Sequence, residues 1–303
     1  MPHVVGLRSP YEDVDGLLGF GRTLDKIRLR AEGRLPEDYL AMLGTGSFYS
    51  LDTRSCMLLG VTYDALVEQT LRGGSDAEVL TWAYENGRKP GALEVEVSNA
   101  FSVKMGWRDD TTPYLKVLTG SGLASHEIAT FLDYIESDEG RTVRYAPDPP
   151  QPSFEAKPSI SLPGLRSPYD QVGGLVHFGR MLDKIKLHGS GALPPEWEES
   201  RGRLQSFDDY TCRFLRIDYA NLEAEVLANN ATDEEWLRWA YEKGRMPSED
   251  EIRMWNPYLS KRCWRDRFSE RVKIRLQEVG LPASAVLTMF DFIDLDEGRS
   301  LRF

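Results

Sequence analysis

Three observations predict an all-α protein made of two homologous multi-helix domains. A segment repeats: Leu7 to Arg28 and Leu165 to Lys186 agree at fifteen of twenty-two positions. Apolar residues within each copy recur at helical spacing, and no alternating run persists long enough to demand a sheet. Glycines, prolines and capping signatures cut both copies at matching places, into about six short helices each. The expected layout is residues 1–146 for the first copy, a proline-rich linker at 147–164, and 165–303 for the second. The two copies are expected to pack as a pseudo-twofold pair, an intramolecular pseudo-dimer that leaves the chain a monomer.

In chain order, Ser9-Pro10-Tyr11 and Ser167-Pro168-Tyr169 read as extended leaders, because a residue before proline avoids the α region. A first helix is expected from Val14 to Arg30 and from Val172 to His188, with Leu17, Phe20, Leu24 and Ile27 forming one apolar face. Gly33 with Leu35-Pro36, and Gly191 with Leu193-Pro194, end it. A variable region follows, read as the loop Gly44-Thr45-Gly46-Ser47 in one copy and as polar Arg201 to Asp209 in the other. A helix then begins near Tyr63 or Tyr219. The next opens at Ser75-Asp76-Ala77-Glu78 or Thr232-Asp233-Glu234-Glu235 with capping-box chemistry and stops at Gly87 or Gly244. Ser248-Glu249-Asp250-Glu251 opens the helix that leads to Asn256, Lys261 and Trp264; its counterpart carries Asn99, Lys104 and Trp107. A fifth helix ends near Gly120 or Gly280. The last is closed by the glycine of Asp138-Glu139-Gly140-Arg141 or Asp296-Glu297-Gly298-Arg299. The linker prolines, Pro147 through Pro163, favour a semi-rigid polyproline II spacer.

Composition narrows the function classes. The chain of 303 residues is 41% hydrophobic and carries a net charge of −11, with a pI near 5.0. That charge argues against nucleic-acid and anionic-membrane partners. Residues 1–146 hold 22 acids against 15 bases, net −7, and residues 165–303 hold 24 against 21, net −3. Neither a signal-like start nor an apolar run of about 20 residues is present, and Cys56, Cys212 and Cys263 read as buried thiols of a cytoplasmic protein. His3, His126, His177 and His188 form no metal-ligand spacing, so neither a metal nor a cofactor is expected.

Leu-Arg-Ser-Pro-Tyr, Phe-Gly-Arg-x-Leu-Asp-Lys-Ile, Trp-Ala-Tyr-Glu-x-Gly-Arg-x-Pro, Trp-Arg-Asp and Asp-Glu-Gly-Arg occur in both copies. In combination they resemble an uncharacterised bacterial domain family of unknown function, usually present as a single copy of this repeat's length. The resemblance covers everything except the linker and implies no activity. The second copy resembles the family pattern more closely, through Gly173-Gly174-Leu175-Val176-His177-Phe178 and Ser260-Lys261-Arg262. The first departs from it, with Asp15 for the first glycine and Gly19 for the histidine.

The candidate site begins with Arg180, Asp183 and Lys184, repeated as Arg22, Asp25 and Lys26. Spacings of i, i+3 and i+4 place each triple on one helix face. There the Asp would orient the two cations, and these would hold an anion; the structural alternative is a surface ion-pair brace. Trp264-Arg265-Asp266 and Trp107-Arg108-Asp109 sit at a helix junction. The tryptophan could wall a pocket or stack on its own arginine, and the aspartate could cap the next helix. Asn256 and Lys261 are weaker ligand-binding candidates. Arg267, Arg271 and Arg275 form a basic stripe in the second copy only. Asp208-Asp209 lacks a third acid for a metal–diphosphate site, and Asp294 to Gly298 places its glycine too early for a calcium loop. No nucleophile elbow, P-loop or dinucleotide fingerprint occurs.

Two main functions follow. One is a cytoplasmic module that binds a small anionic ligand in a polar pocket of the second copy, with Arg180 and Lys184 on the anion and Trp264 as a wall. The other is a cofactor-independent enzyme with Asp183 or His177 as base and Lys184 as acid or electrostatic stabiliser. Protein binding through the basic stripe is a third.

Overall fold

Helix propensity at the head of each copy loses to a turn. In the computed structural model, which describes residues 3–40, 42–44, 46–120, 128–152, 154 and 161–303, the predicted first helix starts six residues late. A two-stranded antiparallel hairpin takes its place: β1 (Asp13–Val14) with β2 (Leu17–Leu18), and β3 (Gln171–Val172) with β4 (Leu175–Val176). The cause is the two-residue loop. Asp15 and Gly16 have φ of 48° and 82°, Gly173 and Gly174 of 54° and 83°, the doubly positive geometry that Asp-Gly and Gly-Gly supply to a tight hairpin.

The chain divides into two compact units, Met1–Asp148 and Pro149–Phe303. The first holds α1 (Phe20–Ala31), α2 (Glu37–Leu40), α3 (Leu51–Leu59), α4 (Tyr63–Leu71), α5 (Asp76–Asn86), α6 (Ala92–Lys104), α7 (Thr112–Thr119) and α8 (Phe131–Asp138). The second holds α9 (Phe178–Gly189), α10 (Pro195–Glu198), α11 (Phe207–Leu215), α12 (Tyr219–Ala228), α13 (Asp233–Lys243), α14 (Glu249–Ser260), α15 (Ser269–Glu278) and α16 (Met289–Asp296). Each unit thus has two more helices than expected among its described residues, both in the variable region. Of the expected polyproline spacer, residues 153 and 155–160 lie outside the described residues, as does His126.

Local chemistry sets the remaining boundaries. Both predicted capping boxes close, Ser75 with Glu78 and Thr232 with Glu235, as does that of Ser248 with Glu251. Gly140 and Gly298 follow the last helices in the left-handed conformation, at φ 73° and 76°. Gly87 and Gly244 end α5 and α13 where the chain touches another helix end. A Cβ there would come within 2.2 Å of the Leu59 carbonyl oxygen and 2.0 Å of the Leu215 one. The next amides, of Arg88 and Arg245, donate to those same carbonyls at 2.7 and 2.9 Å.

Leu17, Phe20, Leu24 and Ile27, the apolar face read from the sequence, are buried with Leu59, Leu66, Leu80 and Ala83 in the first unit's core. Burial on this scale supplies most of the drive for folding, at about 25 cal/mol per Å² of apolar surface. Charge is buried beside it: Arg180, Asp183 and Lys184 are all inside. Buried charges persist only when paired and hydrogen-bonded, which makes their partners the next question.

Candidate functional site

The three charged residues of α9 do not bind one another; each reaches a different element. Arg180 donates through Nη1 to the Arg166 carbonyl (2.7 Å) and to Glu297 Oε2 (2.9 Å), and through Nη2 to Glu297 Oε1. Glu297 also accepts from Arg299 and from Trp197 Nε1 (3.2 Å). Burial disfavours its charge, but the two guanidiniums outweigh that and hold its pKa below the usual carboxylate range. Asp183 accepts from Arg166, from the backbone N at 3.0 Å, Nε at 2.7 Å and Nη2 at 2.6 Å. Arg166 also pairs with Asp233 at 2.6 Å. Lys184 reaches both carboxylate oxygens of Asp208, at 2.7 and 2.6 Å.

The first unit repeats this frame. Arg22 pairs with Glu139, Arg8 with Asp25 and Asp76, and Lys26 with Asp52. These partners are the residues that spacing alone did not reveal. One signal was available: Arg8/Arg166, Asp52/Asp208, Asp76/Asp233, Glu139/Glu297 and Arg141/Arg299 are identical across the copies. The expectation that Asp183 orients Arg180 and Lys184 toward an anion is therefore corrected. Both cations already hold buried carboxylates, and Asp183 serves Arg166.

The units part company at one carboxylate. Asp52 receives Thr23 Oγ1 (2.9 Å), Lys26 and the Gly44 amide (3.2 Å). Asp208 receives Lys184, the Gly202 amide (3.0 Å) and His177 Nε2 (2.9 Å). His177 stands where the first unit has Gly19, and Met181 where it has Thr23, so an imidazole replaces a hydroxyl on the same acid. Like Gly19, His177 precedes its helix with positive φ, 69° against 76°.

His177 is 2% exposed and Asp208 fully buried. Burial would raise the Asp208 pKa, yet Lys184 and His177 hold it well below the carboxylate range. Burial also draws the Lys184 ammonium below its usual value, against the pull of Asp208. His177 is pushed down to about 4, by burial first, with Lys184 and Arg180 adding to it against the opposing pull of Asp208. The neutral ring thus donates Nε2–H to Asp208. Nδ1, the remaining nitrogen, is buried and makes no hydrogen bond within the protein.

His177 lines a cavity of about 440 Å³, within the size range of small-molecule sites. Arg180, Lys184 and Glu297 form its polar inner wall. Phe207, Phe268, Met289, Phe292 and Ile293 supply apolar surface, and the lining also includes Trp197, Arg262, Arg271 and Arg275 with the acids Glu196, Glu278 and Asp296. Arg271 and Arg275 are exposed, so two members of the predicted basic stripe belong to this cavity. The third, Arg267, lies 4.8 Å from the Phe268 ring centroid.

Other candidates have different places. Asn256 donates to the Gly174 carbonyl (2.8 Å) and accepts the Val176 amide (3.2 Å), fastening the hairpin as Asn99 does in the first unit. Trp264 and Lys261 are buried and, with Asn256 and Arg265, fall outside the cavity lining. Trp197 walls it instead. Arg265 stacks over Trp264 at 4.7 Å and Arg108 over Trp107 at 4.3 Å. Asp266 receives the Cys263 and Phe268 amides (3.0 and 2.9 Å), ordering the turn before α15 rather than capping its first helical turn. Asp183 also falls outside the lining.

A second exchange between the copies concerns a buried arginine. Arg54 of α3 donates to the carbonyls of Phe48 (3.1 Å) and Tyr49 (2.8 Å) and to Ser102 Oγ (3.1 Å), and meets Met105 Sδ at 3.8 Å. Burial lowers its pKa to about 10. The equivalent positions in the second unit are Tyr210 and Arg262. There the guanidinium comes from the other side of the pair, bound to Tyr258 and Tyr210 hydroxyls at 2.6 and 2.9 Å.

Frame and cavity define a class: a tandem helical domain held by an arginine–glutamate clamp and a buried lysine–aspartate pair, with a pocket in its second copy. The chain belongs to the family described as domain of unknown function (DUF5069), whose profile matches residues 5–141 and again 163–299. Neither the curated proteins nor the solved structures give a match. No helix among the described residues is long and apolar enough to cross a membrane. No cluster of His, Cys, Asp or Glu among them could hold a metal ion.

Proposed function

We propose that the second unit binds a small organic ligand, anionic in character, in the cavity beside α9, while the first unit keeps the frame without this site. One observation carries the reading: His177 Nδ1, on a side chain 2% exposed, lines the cavity and has no partner within the protein. A buried polar atom left unmatched costs about 1–3 kcal/mol, so a residue that brings one to a pocket wall asks for a ligand donor. Binding is favoured over catalysis. Asp183, one of the two candidate bases, is held by Arg166 outside the cavity. A histidine pushed down to about 4 is a weak proton acceptor at neutral pH but a sound hydrogen-bond acceptor. A cytoplasmic setting is consistent with three buried free thiols, of which Cys56 is pushed by burial up to about 12.

The test uses the first unit's own solution. His177→Gly with Met181→Thr installs a hydroxyl for Asp208 and removes the imidazole. Thermal unfolding of the full chain is followed against a panel of metabolite-sized acids, alcohols and amines. A cavity ligand raises the melting temperature of wild type and raises that of the double variant much less, because one contact to the ligand is lost. A panel that moves neither protein, or moves both alike, overturns the reading.

A further inference from the structure

The cavity has two chemically different ends, and together they specify a ligand class; this step rests on the binding reading above. The inner end is electrically satisfied. Arg180 is matched to Glu297 and Lys184 to Asp208, and Arg262, also in the lining, is held by the Tyr258 and Tyr210 hydroxyls, so an anion entering beside His177 finds the cations there already engaged. It meets instead the lone pair of His177 Nδ1, because Nε2–H points to Asp208. A carboxylate or phosphate oxygen would face lone pair against lone pair, whereas an O–H or N–H group would be accepted.

The outer end differs. Arg271 is exposed and has no ion-pair partner among the described residues, whereas Arg275 is paired with Glu278 at 2.8 Å. Aligning the Trp-Arg-Asp motifs places Tyr114 opposite Arg271 and Leu118 opposite Arg275. Both arginines are therefore specific to the second unit, like His177. Glu196, Glu278 and Asp296 share the lining, the first two exposed, so the mouth favours a monoanion over a phosphate dianion. Between the ends run Phe207, Phe268, Met289, Phe292 and Ile293, a wall for an apolar body.

We infer that the ligand is a carboxylic acid with an apolar, ring-sized body and a hydroxyl or amino group at the end remote from the carboxylate. The donor binds His177 Nδ1 and the carboxylate binds Arg271. Three matched probes test this by calorimetry on the full chain: para-hydroxyphenylacetate, phenylacetate, which lacks the hydroxyl, and para-hydroxyphenylethanol, which lacks the carboxylate. Para-hydroxyphenylacetate should bind most tightly. Loss of the hydroxyl should weaken binding about tenfold, one hydrogen bond's worth, and loss of the carboxylate about fivefold, one exposed ion pair's worth.

Arg271→Ala, on the surface and neutral for folding, should erase only the carboxylate preference; His177→Gly/Met181→Thr should erase only the hydroxyl preference. Equal binding of all three probes, binding of none, or preferences that survive their variants would each overturn the class. If panel ligands protect wild type clearly more than the double variant while these probes fail, the site stands and the class falls. If the panel also fails, the binding reading itself falls.

Discussion

Replacing Lys184 by Met cuts a buried ion pair on one side. Asp208 is fully buried and Lys184 4% exposed, so the variant keeps an acid that cannot reach water. Truncating one partner of such a pair costs about 3–5 kcal/mol. Asp208 would retain two of its partners, His177 Nε2 at 2.9 Å and the Gly202 amide at 3.0 Å, which places the loss at the lower end, about 3 kcal/mol. For a unit of this size that is a fall of roughly 6–12 °C in melting temperature. Differential scanning calorimetry of the full chain reads it directly. Lys184→Met/Asp208→Asn should recover part of the loss, because a neutral amide can still accept the Gly202 N–H without a stranded charge. A Lys184→Met protein that melts with wild type, or a double variant less stable than the single, would refute the assignment of this pair as a structural brace.

Three further outcomes are expected. His177 has a folded pKa of about 4 against an ordinary 6.5, so between those values the unfolded chain binds more protons. Stability therefore falls as pH drops through that window, by about 3 kcal/mol in all; urea titrations across pH should show the slope and its loss in His177→Gly/Met181→Thr. Asn256→Ala removes two hydrogen bonds to the β3–β4 hairpin and should cost about 1–2 kcal/mol, with faster amide exchange at Val176. Gly244→Ala drives a Cβ to 2.0 Å from the Leu215 carbonyl, a backbone neighbour that cannot rotate away, and should cost on the order of 3 kcal/mol in chemical denaturation.

Features set within a few residues were legible in the sequence. Capping boxes, glycine stops and the Leu17–Ile27 face depend on neighbours along the chain. The hairpin was missed because Leu17 and Phe20 suit a helical stripe as well as a strand followed by a helix, and only the Asp15-Gly16 and Gly173-Gly174 loops break the tie. Helices α3 and α11 were hidden by their own buried polar residues, Asp52 and Ser55 or Asp208 and Thr211, which interrupt an apolar face. The same applies to the site. Spacing correctly puts Arg180, Asp183 and Lys184 on one helix, but Glu297 lies 117 positions from Arg180 and Asp208 lies 24 from Lys184. Periodicity cannot report pairings at that range; comparison of the two copies can. His177 stands out for the same reason, as a departure from Gly19, although its partner is Asp208 rather than Asp183.

The arginine that crosses from Arg54 in one copy to Arg262 in the other restricts how these copies can exchange genetic material. Tyr210 with Arg262, and Arg54 with Met105, are each complete. A recombinant joined between α3 and α6, or between α11 and α14, would inherit either two guanidiniums in one interior space or none. Either product carries a defect that neither parent has: crowded like charges, or a void with unmatched hydroxyls and carbonyls. Unequal crossing-over, the ordinary fate of tandem duplications, would therefore be selected against within that interval and tolerated outside it. The two halves of this chain are free to diverge because their interiors are no longer interchangeable.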